Sequence, residues 1–252
     1  MVPIPQSPPC SLVDVDPDLV AGIPHDDLPL ARRVLLRPRY ELPKGRWAPG
    51  LLGAHEGAIG FLVVEGAIIR EIDLGGRGCA QVLGPGDVLG EPTPGGVLDC
   101  PVTWTALLPS VLLVLDARFV AAAQRWPSLA ANLHRRLLEQ GDRAALHAAT
   151  AQLPRVDRRL VALFWQLSDR WGHVTPFGID VPLPLTHELL GRLVGAQRPT
   201  VSLALRELAG DGVVTRSARG GWLLAAGSQA LLGSGELGRP VAVSASTGGS
   251  IA

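Results

Sequence analysis

Residues 185–212 read LTHELLGRLVGAQRPTVSLALRELAGDG, the pattern of two short helices around a glycine. Thr186 is a capping residue type, because its hydroxyl accepts from backbone N–H groups that have no helical partner. Leu189, Leu190, Leu193 and Val194 then recur at helical spacing on one face. Gly195 suits the turn, since it adopts positive φ without steric cost. Pro199 is tolerated in the first turn of the second helix, where backbone N–H groups are free anyway. Val201, Ala204, Leu205 and Leu208 make one apolar stripe, with Arg198, Pro199, Ser202, Leu203 and Arg206 opposite. The spacing predicts a helix-turn-helix, whose second helix enters the DNA major groove; an αα-hairpin buried in a larger domain has the same spacing. The sequel favours the first. Val213–Arg216 and Trp222–Leu224 flank a Ser-Ala-Arg-Gly-Gly turn, and two apolar runs around a glycine-bearing turn signal the hairpin of a winged helix.

Working outward, Pro154 opens a further helix with Val156, Leu160, Leu163, Phe164 and Leu167 as its apolar face, which makes 153–225 a winged helix-turn-helix domain. Before it, 117–152 is rich in Ala, Leu and Arg. Trp126-Pro127 marks a break, and beyond it Ala130, Leu133, Leu137, Gln140, Ala144, His147 and Ala151 fall on heptad a and d positions. Leu138, Gly141, Ala145 and Ala148 widen a seam poor in bulk, which suits close approach of a two-fold partner helix; packing on the chain's own sheet is the alternative. Gly141 inside a helix costs about 1 kcal/mol relative to alanine, and a tight seam accounts for it. Residues 25–116 show short apolar runs, among them Val34-Leu35-Leu36, 59–65, 67–74, 80–83, 102–108 and 111–115, separated by Pro/Gly turns. That spacing predicts an antiparallel sandwich or barrel. Residues 1–24 lack periodicity and are expected to be a loose arm. Residues 226–252, rich in Gly, Ser and Ala, are expected to be a disordered tail. The fold class is α+β.

The 252 residues carry no net charge, but the charge is divided. Residues 1–116 hold 8 basic and 14 acidic side chains, and 117–225 hold 14 basic and 8 acidic. A basic second half fits a polyanionic partner. Cys10, Cys79 and Cys100 form no C-x-x-C pair, and the six histidines form no ligand spacing, so neither a disulfide frame nor a metal site is expected. With no apolar run long enough to span a bilayer and no signal-like N-terminus, a cytoplasmic protein is expected.

This order, a glycine-punctuated β-roll, a long helix and a winged helix, resembles the Crp/Fnr superfamily of transcription regulators over about residues 30–225. Residues 185–208 are similar to the family signature T-x-x-x-[IL]-[GA]-x-x-[VL]-G-x-x-R-x-T-V-x-R-x-L-x-x-L, with Thr186, Gly191, Val194, Gly195, Arg198, Thr200, Val201, Leu205 and Leu208 matching. GFLVVEGAIIREID resembles the family's strand–Gly–strand unit, and GPGDVLGE (84–91) the start of its phosphate cassette.

The resemblance implies a homodimer on a palindromic operator in double-stranded DNA, with RNA polymerase as a further partner, and no catalysis. It places Gln197, Arg198, Ser202, Leu203 and Arg206 toward bases, Arg198 toward guanine O6 and N7. Arg192, Thr200, Arg216 and Arg219 are placed on phosphates. Pro199 and Leu203 stand where the family has a base-reading glutamate and arginine, so the half-site differs from the family's usual TGTGA type. The effector pocket falls on Gly90, Glu91, Cys100 and Pro101. Cys100 and Pro101 occupy the positions of the Arg-Ser pair that holds a cyclic phosphate, and Ala144 and Ala145 those of the hydroxyls that hold the purine. Cyclic AMP is therefore not expected as ligand, no cofactor is implied, and the effector is left open. Two other readings remain: a constitutive or architectural DNA-binding protein with a ligand-less roll, and a cupin-like enzyme, which would need clustered metal ligands.

Overall fold

The computed structural model describes residues 6–48, 59–75, 77–90 and 100–232. Two antiparallel sheets form the roll. The first contains β1 (Gln6–Ser11), β2 (Leu36–Leu42), β9 (Ser110–Leu115), β4 (Gly60–Glu65) and β7 (Val88–Leu89) in that spatial order. The second contains β3 (Gly45–Trp47), β8 (Val102–Ala106), β5 (Ile68–Leu74) and β6 (Arg77–Leu83). Side chains alternate across each strand, and here both faces are covered. Phe61, Val63, Leu112 and Val114 of the first sheet meet Ile68, Leu83, Trp104 and Ala106 of the second inside the roll. Their neighbours Leu62, Leu113 and Leu115 point outward into a second core, while Ile69 and Ala80 point into a third. This double burial explains why GFLVVE and SVLLVL read as continuous apolar runs rather than alternating ones.

The second core corrects the expectation of a loose N-terminal arm over 1–24. Within the described part, β1 pairs with β2, followed by the short helix α1 (Leu12–Val15), a 3₁₀ turn at His25–Asp27 and α2 (Leu28–Val34). Leu12, Leu19, Val20 and Ile23 are buried against Phe119, Ala122, Trp126, Leu129 and Leu133. Asn132 Nδ2 donates to the carbonyls of Leu19 and Ala21 at 3.0 and 2.9 Å. Arg136 forms a two-pronged pair with Asp16. These partners lie about a hundred residues away in sequence, so no local periodicity announces them. The run Val34-Leu35-Leu36, expected as a strand, is divided: Val34 ends α2 and β2 starts at Leu36.

The long segment is two helices, α3 (Ala117–Arg125) and α4 (Pro127–Ala151), bent at Trp126. Asp116 caps α3, accepting from the N–H groups of Arg118 and Phe119, and also pairs at 2.5 Å with the fully buried Arg37 of β2. That guanidinium also donates to the carbonyl of Val34. α5 (Val156–Trp171) leads to the hairpin β10 (His173–Thr175) and β11 (Gly178–Val181). Helices α6 (His187–Val194) and α7 (Arg198–Gly210) follow, then β12 (Val214–Arg216) and β13 (Trp222–Leu224). β10, β11, β13 and β12 form one small antiparallel sheet. The tail expected from 226 is ordered at its start: Ser228–Leu232 form a 3₁₀ turn, and Trp165 Nε1 donates to Ser228 Oγ at 3.1 Å. Residues 233–252 lie outside the described residues.

Replacing Asp116 with alanine removes the α3 cap and strands Arg37 in the interior. The expected loss in unfolding free energy, read by urea titration, is about 3–5 kcal/mol. A loss of about 1 kcal/mol, the value of a cap alone, would contradict the pairing.

Candidate nucleic-acid interface

The Thr186 hydroxyl accepts from the Leu189 N–H at 3.1 Å and starts α6. Gly195 ends it in the left-handed conformation, at φ 64° and ψ 41°. Gly191 is needed for a different reason: a Cβ there would lie 2.5 Å from the Ala196 carbonyl, so the turn folds back only over a residue without a side chain. Arg159 of α5 donates to the carbonyls of Val194 and Gly195 at 3.2 and 3.4 Å, satisfying acceptors that the helix end leaves open. α7 carries Pro199 in its first turn and buries Val201, Ala204, Leu205 and Leu208. Trp222 of the wing packs on Phe164, ring centres 5.2 Å apart.

The opposite face of α7 is open. Gln197, Arg198, Thr200, Leu203 and Arg206 are exposed, Ser202 is half-buried, and Leu203 is 54% exposed. An exposed leucine between arginines does not serve packing within this chain. Arg216 of β12, its guanidinium 3.8 Å from the Trp222 ring centre, acts together with Arg198 on the charge of His187, which contacts Ser202 of α7. Arg219 is exposed on the wing turn, where its N–H donates to Ser217 Oγ at 3.3 Å. The structure thus brings together Arg198, Ser202 and Arg216 from two elements, with Gln197, Thr200, Leu203 and Arg206 along the same helix.

Arg192 goes elsewhere. Its guanidinium pairs at 2.8 Å with Glu71 of β5 and at 2.8 Å with Glu188. The hydrogen bond to Glu71 is the main reason that its charge is held more firmly than usual. On sequence Arg192 is a free helix-surface cation expected on phosphate; in this chain it is paired and turned toward the roll. One residue escaped the sequence reading. His187 is one of six histidines without ligand spacing, yet its Nδ1 lies 2.9 Å from Ser202 Oγ on α7. No ligand spacing could have flagged it, because its partner is on the next helix.

The winged helix docks on the roll. Ala67, Ile69, Ala80 and Leu107 share one core with the residues of α5, α6, α7 and the wing. At the edge of that contact Asp87, only 1% exposed, accepts from Arg143 of α4 at 2.5 Å, from Arg170 of α5 at 2.6 Å and from the Gly84 N–H at 2.8 Å. Arg170 also donates to the Pro85 carbonyl, and the Gln140 amide pairs both ways with the Val88 backbone at 3.0 and 3.1 Å. The expected effector residues are not gathered. Gly90 is exposed after β7, Cys100 is half-buried and Pro101 exposed before β8, and Glu91 lies outside the described residues. None of the three lines either of two cavities beside the docked α6. One, of about 380 Å³, lies against Ile69, Glu71 and Arg192. The other, of about 240 Å³, lies against Arg70, Cys79, Ala144, His147 and Arg192. In the second, burial holds the His147 imidazole below its ordinary range, partly offset by its hydrogen bond to the Ala80 backbone.

Residues 158–225 match the family model of the Crp-like helix-turn-helix domain. That segment is a Crp-like helix-turn-helix domain. Over about three quarters of its length the chain shares its fold with several solved structures. FixK2 from Bradyrhizobium japonicum is 18% identical over 78% of this chain and 96% of that one, with a TM-score of 0.59. A CRP-family transcriptional regulator from Thermus thermophilus is 22% identical over 74% and 91%, TM-score 0.55. A cyclic nucleotide-binding domain-containing protein from Listeria monocytogenes is 16% identical over 73% and 87%, TM-score 0.60. No curated protein matches by sequence.

The two arginines separate by salt dependence. Arg216→Ala should lower the slope of log affinity for duplex DNA against log salt by about 1 per chain. Arg192→Ala, its charge already neutralised by Glu71, should leave that slope nearly unchanged. Equal effects of the two substitutions would contradict the placement.

Proposed function

We propose that the chain is a sequence-specific DNA-binding transcription regulator that acts as a homodimer on a two-fold operator in the cytoplasm. The observation that carries this is the uncovered face of α7, with Arg198, Ser202, Leu203 and Arg206 presented beside the wing cation Arg216. Arg198 reads guanine, Leu203 meets a thymine methyl, Gln197, Ser202 and Arg206 offer further base contacts, and Thr200, Arg216 and Arg219 fix the register on phosphate. Of the expected heptad seam, Leu133 is buried in the chain's own core, Gln140 is bonded to Val88 and His147 to the Ala80 backbone; dimerisation through α4 is instead supported by Leu137, Leu138 and Leu146, which are 46, 57 and 48% exposed in the single chain. Gly141 supports it too, because a Cβ there would meet nothing within 4 Å; its smallness is not needed by this chain alone. Two-fold related recognition helices then meet half-sites about 34–36 Å apart.

The β10–β11 tip leaves Val174 89% and Phe177 83% exposed. Such exposed apolar surface is what a protein partner covers, and RNA polymerase is the partner we assign. No helix among the described residues is long and apolar enough to cross a membrane.

The roll is the sensing half, and its signal is not cyclic AMP. The α4 groups facing the cassette are already engaged, Gln140 by Val88 and Arg143 by Asp87. The same observation favours the second reading, constitutive DNA binding with a ligand-less roll; operator affinity indifferent to every added metabolite would select it. Calorimetry with cyclic AMP should give a dissociation constant of about 1 mM or weaker, and a micromolar value would overturn the exclusion.

Selection of bound sequences from random duplexes at two salt concentrations tests the function. A palindromic motif is expected, and Arg198→Ala should cost about 1–3 kcal/mol and relax one base pair. Binding with a steep salt slope and no motif would contradict sequence-specific reading.

A further inference from the structure

His187 opens α6 directly after its cap and is half-buried. Besides the contact with Ser202, its ring lies 6.0 Å from that of Trp222, whose face Arg216 covers. The charged groups around it come from three elements. Arg198 on α7 and Arg216 on β12 both act on its charge, and on its own helix Glu188 is engaged by Arg192. Burial first, then these two cations, hold the imidazole below its ordinary value, and the positive end of α6 acts in the same sense. The free protein therefore carries a neutral His187 at neutral pH.

A serine hydroxyl has one proton to give. In the neutral Nε2–H tautomer, the one we assign, Nδ1 accepts that proton, which leaves Ser202 Oγ with only lone pairs for the groove, and these suit the amino donors of adenine N6 and cytosine N4. An imidazolium is protonated on both nitrogens and can only donate. Its Nδ1–H then goes to Ser202 Oγ, and the serine proton is free for acceptor edges, guanine O6 and N7 or thymine O4. Duplex phosphate drawn to the Arg198–Arg216 cluster favours the imidazolium, opposing the effect of the arginines.

We propose that His187 is a positioning residue of the reading face, whose protonation sets the direction of the Ser202 hydroxyl and hence which operator is bound best. This rests on the DNA-binding reading. The sign follows from linkage. The DNA-bound imidazole holds its proton to higher pH than the free one, so binding takes up protons. Affinity then rises as pH falls through the bound-state value and levels off below the free-state value.

The test is fluorescence anisotropy of the full chain on selected duplexes that differ at one base pair, all four pairs, at pH 8 and pH 6. The proteins are wild type, His187→Ala and His187→Arg, each checked for folding by thermal unfolding. Wild type should gain about tenfold in affinity toward pH 6, and its preferred pair at the position facing Ser202 should change. His187→Ala should lose both responses. His187→Arg, a permanent donor, should show the acidic preference at both pH values. An unchanged affinity and preference in wild type, or a pH response that survives in His187→Ala, overturns the proposal while leaving DNA binding intact. Absence of sequence-specific binding by wild type at either pH overturns the DNA-binding reading as well.

Discussion

A carboxylate taken out of water must be paired, because leaving it alone in the interior costs several kcal/mol. Asp87 is such a group, and its partners come from three parts of the chain: the tight turn of its own loop, Arg143 on α4 and Arg170 on α5. The roll, the long helix and the winged-helix half therefore have to meet at one point for all of these pairings to form together. The guanidiniums keep partial contact with water, 38% and 16% exposed, so they would lose less by separating than the carboxylate would. The constraint thus sits on Asp87, and the docking of the winged helix on the roll follows from it together with the shared core around Ile69 and Ala80.

Layering makes this docking possible. Each sheet buries both faces, so the strands transmit position from one core to the next without a polar gap. A displacement of the Gly84–Val88 turn moves groups tied to α4 through Gln140 and Arg143 and to α5 through Arg170. A change of DNA affinity by this route needs an effector with different contact energies in two arrangements of that turn.

The helix-turn-helix was legible because everything that defines it is local. Thr186, Gly195 and Pro199 are placed for cap, turn and first helical turn, and the structure puts them there. Glycine punctuation likewise separated most of the strands. The unread features have distant causes. The N-terminal segment is ordered by α3 and α4, more than a hundred residues on. Arg192 looked like a solvent cation until Glu71, 121 positions earlier, was placed beside it. Asp87 belonged to a cassette-like motif, and only the fold shows that it joins three elements. The exposed face of α7 was legible from its spacing. What holds Ser202 on that face was not, because His187 belongs to the preceding helix.

The central claim is that two copies of this chain, joined through α4, present their α7 helices to one duplex. Native mass spectrometry of the full chain with a selected duplex carrying both half-sites tests it directly. The account predicts two chains per duplex, and a two-chain species in the absence of DNA. A complex of one chain per duplex, with single chains in free solution, would contradict it.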